Sequence, residues 1–167
     1  MLRAKVMFLV AYFSFSGNTQ SVAKMISDEL EADLFRIVVE TPYTNDDVFN
    51  RAQDELNSKA YPALSSHIDI EVFNSHDTII LGFPIWWYDL PMPVWSFIKE
   101  YDFTGKTVIP FFTHNGLSSG ANSLTTLREL LQNANVNSNN VLSIRGSNAS
   151  NSLSDVKVWL EKIGLKH

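Results

Sequence analysis

Short apolar runs alternate with stretches of helical period along almost the whole chain, and this alternation restricts the available folds more than any other feature. Residues 6–13 (VMFLVAYF) are almost continuously apolar, as strands buried on both faces of a parallel sheet are. Further strand candidates lie at residues 33–39, 77–82, 106–112 and 141–144. Between them, apolar side chains recur at helical spacing. The sets are Val22, Ile26 and Leu30; Val48, Ala52 and Leu56; Val94, Phe97, Ile98 and Tyr101; Leu124, Leu127 and Leu131; and Leu153, Val156, Leu160 and Ile163. Thr44 ahead of Asn45, Asp46 and Asp47 marks a helix start, and Pro93 suits a first helical turn. Residues 61–73 lack a regular period and read as connection, and the Asn-rich residues 133–140 as a solvated turn. Five strands alternating with five helices predict one α/β domain over residues 1–167, a parallel sheet with helices on both faces.

Composition removes several kinds of chemistry. The 167 residues contain no cysteine, which excludes disulfides, iron–sulfur clusters, thiol nucleophiles and Cys-type zinc sites. No set of His, Asp and Glu has metal-ligand spacing, so no metal is expected. Any redox chemistry must then use a bound cofactor. Thirteen basic against 18 acidic residues give a formal net charge of −5. Without a Lys/Arg cluster, nucleic acid is not an expected partner. No apolar run reaches the ~18 residues of a membrane span. The apolar residues near the N-terminus flow straight into an ordered-looking motif and read as a first strand, not a leader. A cytoplasmic protein, a monomer or weak dimer, is expected.

In an open parallel α/β sheet, ligands bind at the carboxyl ends of the strands, and three loops of unusual composition leave those ends. The first is Ser14-Phe-Ser-Gly-Asn-Thr19, which leads into a helix N-terminus. Gly17 admits close backbone approach, and free amides with the helix dipole make an anion site. The loop carries no Lys or Arg, so a phosphate there would be neutralised by N–H and O–H groups alone. Neither a Walker nor a G-x-G-x-x-G pattern is present. The second loop, Pro84-Ile-Trp-Trp-Tyr-Asp-Leu-Pro91, sets adjacent aromatics outside any period. It suits a flat ligand that stacks on rings, or else a dimer contact or lid. The third, Thr113-His-Asn-Gly-Leu-Ser-Ser-Gly120, is rich in donors and acceptors. Together they describe one ligand with a phosphate end, a flat aromatic end and a polar ring edge, as FMN has.

At these residues the chain resembles the flavodoxin family. Residues 14–19 are similar to its T/S-x-T-G-N-T phosphate loop. Gly82-Phe-Pro-Ile-Trp-Trp87 and Asp102-Phe-Thr-Gly-Lys-Thr-Val-Ile-Pro-Phe111 resemble a short-chain branch that carries G-Y-P-I-W-W. The resemblance implies a flavodoxin-like three-layer sandwich, a five-stranded parallel sheet of order 2-1-3-4-5 with FMN at its carboxyl edge. Ser14, Ser16, Gly17, Asn18 and Thr19 would hold the phosphate. Pro84, Ile85, Trp86, Trp87 and Tyr88 would line one side of the ring system, with the choice of stacking tryptophan open. Thr113, His114, Asn115 and Gly116, with Ser119 and Gly120, would approach its other edge.

The expected activity is a low-potential one-electron carrier between redox partner proteins, since stacked aromatics in a low-dielectric pocket disfavour negative charge on the reduced ring. An NAD(P)H-dependent quinone or related reductase is the competing expectation, and a flavin-free scaffold a third. His114 is a candidate for bonding the ring and making its potential pH-dependent. The expected site includes no catalytic side chain.

Overall fold

The computed structural model describes residues 7–166. In chain order the elements are β1 (Phe8–Tyr12), α1 (Asn18–Leu30), β2 (Asp33–Arg36), α2 (Asn45–Phe49), α3 (Arg51–Ser58), α4 (Ile70–Asn74), β3 (Thr78–Pro84) and α5 (Met92–Glu100). They continue with β4 (Thr107–His114), α6 (Ala121–Leu130), β5 (Asn135–Val136), β6 (Leu142–Arg145), a 3₁₀ turn (Gly146–Asn151) and α7 (Leu153–Lys162). The sheet is parallel throughout, in the order β2-β1-β3-β4. Its fifth position is filled by two pieces, since β5 and then β6 both pair with β4.

The period of two along each strand sorts the core onto both faces. Leu9, Ala11, Ile79, Leu81 and Val108 face one way and pack with Val94 and Phe97 of α5 and Leu127 of α6. Val10, Tyr12, Ile80, Ile109 and Phe111 face the other way, against Val22, Ala23 and Ile26 of α1 and Val156 and Leu160 of α7. Each fully buried Val, Leu, Ile or Phe among them contributes ~1.5–3 kcal/mol, so both helical layers are held by apolar burial. Gly82 is set by close approach, because a Cβ there would stand 2.0 Å from the Phe111 ring. No helix among the described residues is long and apolar enough to cross a membrane.

Several boundaries differ from those read in the sequence. Val6, the first residue of the expected β1, lies outside the described residues. β2 stops at Arg36; the Ile37 N–H still donates to the Tyr12 carbonyl at 2.7 Å, but Val39 leaves the sheet to bridge Leu64. The helix expected from Thr44 is broken at Asn50. Its start is as the composition suggests, with Thr44 and Asp47 closing a reciprocal cap. The stretch read as connection holds α4, whose Asp69 carboxylate accepts the Glu71 and Val72 amides. The Asn-rich stretch is not turn alone, because Asn135 and Val136 pair with Thr107 and Val108.

Candidate functional site

The first loop delivers an open helix start to the carboxyl edge of the sheet. Gly17 is the N-cap of α1 at φ +93° and has no side chain with which to cap that end. The Ser14 hydroxyl accepts the Gln20 N–H at 3.2 Å. The amides of Asn18 and Thr19 find no acceptor among the described residues. Free amides on a positive dipole end attract an anion. Ser16 is exposed and Asn18 half-buried beside them. Thr19 points elsewhere: it is buried, and its hydroxyl shares a 2.8 Å hydrogen bond with that of Thr113. That bond ties the first loop to the third.

The second loop folds as a tight turn with strained backbone. The Asp89 N–H donates to the Trp86 carbonyl at 3.0 Å and the Trp86 N–H to the Asp89 carbonyl at 3.3 Å. The two central residues, Trp87 and Tyr88, have φ of +52° and +63°, the left-handed geometry of a type I′ turn. Outside glycine, such backbone costs roughly 1–2 kcal/mol per residue. The Asp89 carboxylate anchors the turn by accepting the Leu90 N–H and the Thr126 hydroxyl, each at 2.7 Å.

The paired tryptophans divide their work. Trp86 is 9% exposed, with edge-to-face contacts to Phe13, Phe15 and Tyr43 at centroid distances of 5.1, 5.9 and 5.0 Å. Burial, and a 2.5 Å hydrogen bond donated to Glu55, push the Tyr43 phenol far above its ordinary pKa, so it stays neutral behind Trp86. Trp87 is 37% exposed; its indole N–H donates to the Val48 carbonyl at 2.6 Å and its ring meets the edge of Phe49. Tyr88 is exposed next to it.

In the third loop, Nδ1 of His114 accepts the Gly116 N–H at 2.9 Å. In the neutral ring this bond assigns the proton to Nε2, leaving that nitrogen for a ligand. Gly116, at φ +97°, lies under the guanidinium of Arg145. Ser119 and Gly120 lead into α6: the Ser119 hydroxyl accepts the Ala121 N–H at 3.4 Å, and Gly120 sits on the Phe112 ring.

The three loops enclose a cavity of about 610 Å³, within the ~300–1,000 Å³ range of small-molecule sites. Ser16 and Asn18 line it from the first loop, Pro84, Ile85, Trp86, Trp87 and Tyr88 from the second, and Thr113, His114 and Asn115 from the third. Ser14, Gly17, Thr19, Gly116, Ser119 and Gly120 stand behind the lining and shape the loops. The cavity also takes in residues that the sequence reading passed over: Val48 and Phe49 at the end of α2, Leu117, Ser118, and Arg145, Gly146 and Ser147 at the end of β6. The first loop has no Lys or Arg, as the sequence states, but the cavity has Arg145.

The family model for flavodoxin matches residues 7–163. The chain belongs to the flavodoxin family. Solved structures agree with that membership. A candidate flavoprotein of Bacteroides uniformis is 33% identical, with a TM-score of 0.82 over 95% of this chain and 99% of its own. Another from Bacteroides eggerthii is 31% identical, with a TM-score of 0.81 over 97% and 100%. A flavoprotein of Lactobacillus acidophilus, solved in complex with FMN, shares the fold at 24% identity and a TM-score of 0.70 over 93% and 99%. An uncharacterized protein of Archaeoglobus fulgidus is 31% identical over 91 residues, 54% of each chain, so the match spans about half the length of that curated relative.

Within this flavodoxin-family fold the β6 end is packed tightly against the first loop. A Cβ on Gly146 would stand 2.6 Å from Nδ2 of Asn18. Glycine at 146 therefore lets the 3₁₀ turn close on the start of α1. The only local signal for it was the dipeptide Arg145-Gly146 after a short strand.

Proposed function

We propose that this flavodoxin-family chain holds FMN in the cavity and carries electrons one at a time between protein partners, in the cytoplasm. The observation that carries the reading is the convergence of a helix start whose first two amides are free and an aromatic turn on one cavity of about 610 Å³. The residues fit the cofactor's chemistry. Free amides of Asn18 and Thr19, with the Ser16 hydroxyl and the Asn18 side chain, suit a phosphate. Trp86, Trp87 and Tyr88 suit a flat ring, with ~0.5–1.5 kcal/mol per aromatic pair beyond area burial. Asn115 and Nε2–H of His114 offer an acceptor and donors to a polar ring edge.

FMN, when bound, supplies reversible one- and two-electron chemistry; this chain's residues bind, orient and shield it. Trp86, pinned by Phe13 and Tyr43, keeps water from one wall. The Thr19–Thr113 hydrogen bond fixes the spacing between the phosphate end and the ring end. The −5 net charge favours docking to basic patches on redox partners.

A second reading has its own observation. Phe49, Trp87, Tyr88 and Leu117 are exposed at the cavity, an apolar border suited to a second flat substrate. It supports an NAD(P)H-dependent quinone reductase. One experiment separates the readings. The protein is loaded with FMN, desalted and mixed with NADPH and a soluble quinone. Retained flavin that NADPH leaves oxidised, but that a one-electron protein donor reduces, supports the carrier. Rapid bleaching by NADPH and recovery on adding quinone supports the reductase. Flavin lost on desalting contradicts both.

A further inference from the structure

We infer that Arg145 biases the redox equilibrium of the site by holding the reduced, negatively charged cofactor more tightly than the oxidised, neutral one. This rests on the FMN reading above. The chain is acidic overall, with a formal net charge of −5. Yet no Asp or Glu lines the cavity, and Arg145 is the one Lys or Arg among the described residues that does. Ion pairs among the described residues involve Arg51, His67, His76, Lys157 and Lys166. Arg145 takes part in none of them, so its charge is not spent on a neighbour.

The fold explains how that charge reaches the site. Arg145 ends β6 in register with His114 of β4, so the last rung of the sheet delivers it to the carboxyl edge. Its guanidinium carbon lies 3.2 Å from where a Cβ of Gly116 would stand. A side chain at 116 would require it to give by a few tenths of an ångström. A guanidinium stays charged throughout the working pH range. The other titratable groups of the lining are His114 and Tyr88, and His114 accepts a backbone N–H at Nδ1 as a neutral ring does.

Two electrons and one proton convert the neutral ring system of FMN into a monoanion. The Arg145 guanidinium sits on an exposed residue at the border of the cavity, so water screens part of its charge, but its attraction for that anion still operates at the range of the cavity. The neutral form gains no such attraction. Arg145 therefore works against the low potential expected from the aromatic wall alone.

The test compares wild type, Arg145→Gln and Arg145→Lys. Apoprotein is titrated anaerobically at mildly alkaline pH with oxidised FMN and with dithionite-reduced FMN, and the midpoint potential is measured separately. Arg145→Gln is expected to weaken reduced FMN ~10-fold more than oxidised FMN, which lowers the two-electron midpoint by about 30 mV. Arg145→Lys, which keeps the charge, retains most of the difference. Equal losses for both redox states would mean that Arg145 serves the phosphate, and would overturn the inference while leaving FMN binding intact. Unchanged affinities for both states overturn it too. A wild type that holds no FMN in either state overturns the functional reading as well.

Discussion

The two ends of the cavity are built on opposite plans. At the start of α1 the ligand-ready groups are backbone amides, left open because Gly17 caps nothing. That openness is local, since α2 closes its own start with Thr44 and Asp47. At the aromatic end the ligand-ready groups are side chains, carried on two left-handed residues and fastened by Trp86, Asp89 and the Trp87–Val48 hydrogen bond. The first end leaves hydrogen bonds unmade; the second accepts backbone strain. Both features cost stability in the free protein. The difference lies in what substitutions touch: at the open end, the amides and the glycine backbone that exposes them; at the aromatic end, a buried anchor in Trp86 and a strained Tyr88 that trades stability for affinity.

Trp86→Ala strikes the anchored end hardest. Trp86 is the buried hub of Phe13, Phe15 and Tyr43, so its loss should cost ~3–5 kcal/mol in urea unfolding of the apoprotein. A cost below ~1 kcal/mol would mean that the ring does not anchor the loop. Gly17→Val tests the open end. Nothing lies within 4 Å of the position of its Cβ, so the stability cost is the backbone strain of roughly 1–2 kcal/mol. The amides would be turned aside, and FMN affinity should fall at least ~10-fold, while riboflavin affinity holds. Tyr88→Gly relieves strain at φ +63°, and should stabilise the apoprotein by ~1 kcal/mol while weakening FMN. A variant both less stable and equally tight would break the proposed opposition.

The smallest effect comes from the far end of α1. A hydrogen bond from the Lys166 ammonium, with the charges of Lys166 and Lys157, holds the Glu29 carboxyl below its ordinary value of 4.5. A lowered folded-state pKa adds stability above the unfolded-state value, and that stability is lost as pH falls through the folded-state value. Glu29→Gln should therefore show a shallower loss of urea midpoint between neutral pH and about pH 3. FMN affinity at neutral pH should not change, because Glu29 lies away from the cavity.

The parallel sheet and the three loops were legible because their signals are local. Continuous apolar runs mark doubly covered strands, and Ser14 to Thr19 and Pro84 to Pro91 break the period in one place each. The order of the strands came through family resemblance, and the sheet has it. Arg145, Gly146, Val48 and Phe49 were not legible, because they reach the cavity only through tertiary packing. Arg145 depends on the register of β6 against β4, and Phe49 on a helix break at Asn50 that no glycine or proline announces. The roles of Trp86 and Trp87 were equally hidden, since adjacent identical residues differ only in the way the turn aims them.

The central claim is that the open start of α1 grips a phosphate while the aromatic turn holds the ring. The most direct measurement is the affinity of wild-type apoprotein for FMN against riboflavin, read by flavin fluorescence. The account predicts FMN tighter by ~100-fold, a difference of about 2.7 kcal/mol. Equal affinity for the two flavins, or none for either, would contradict it.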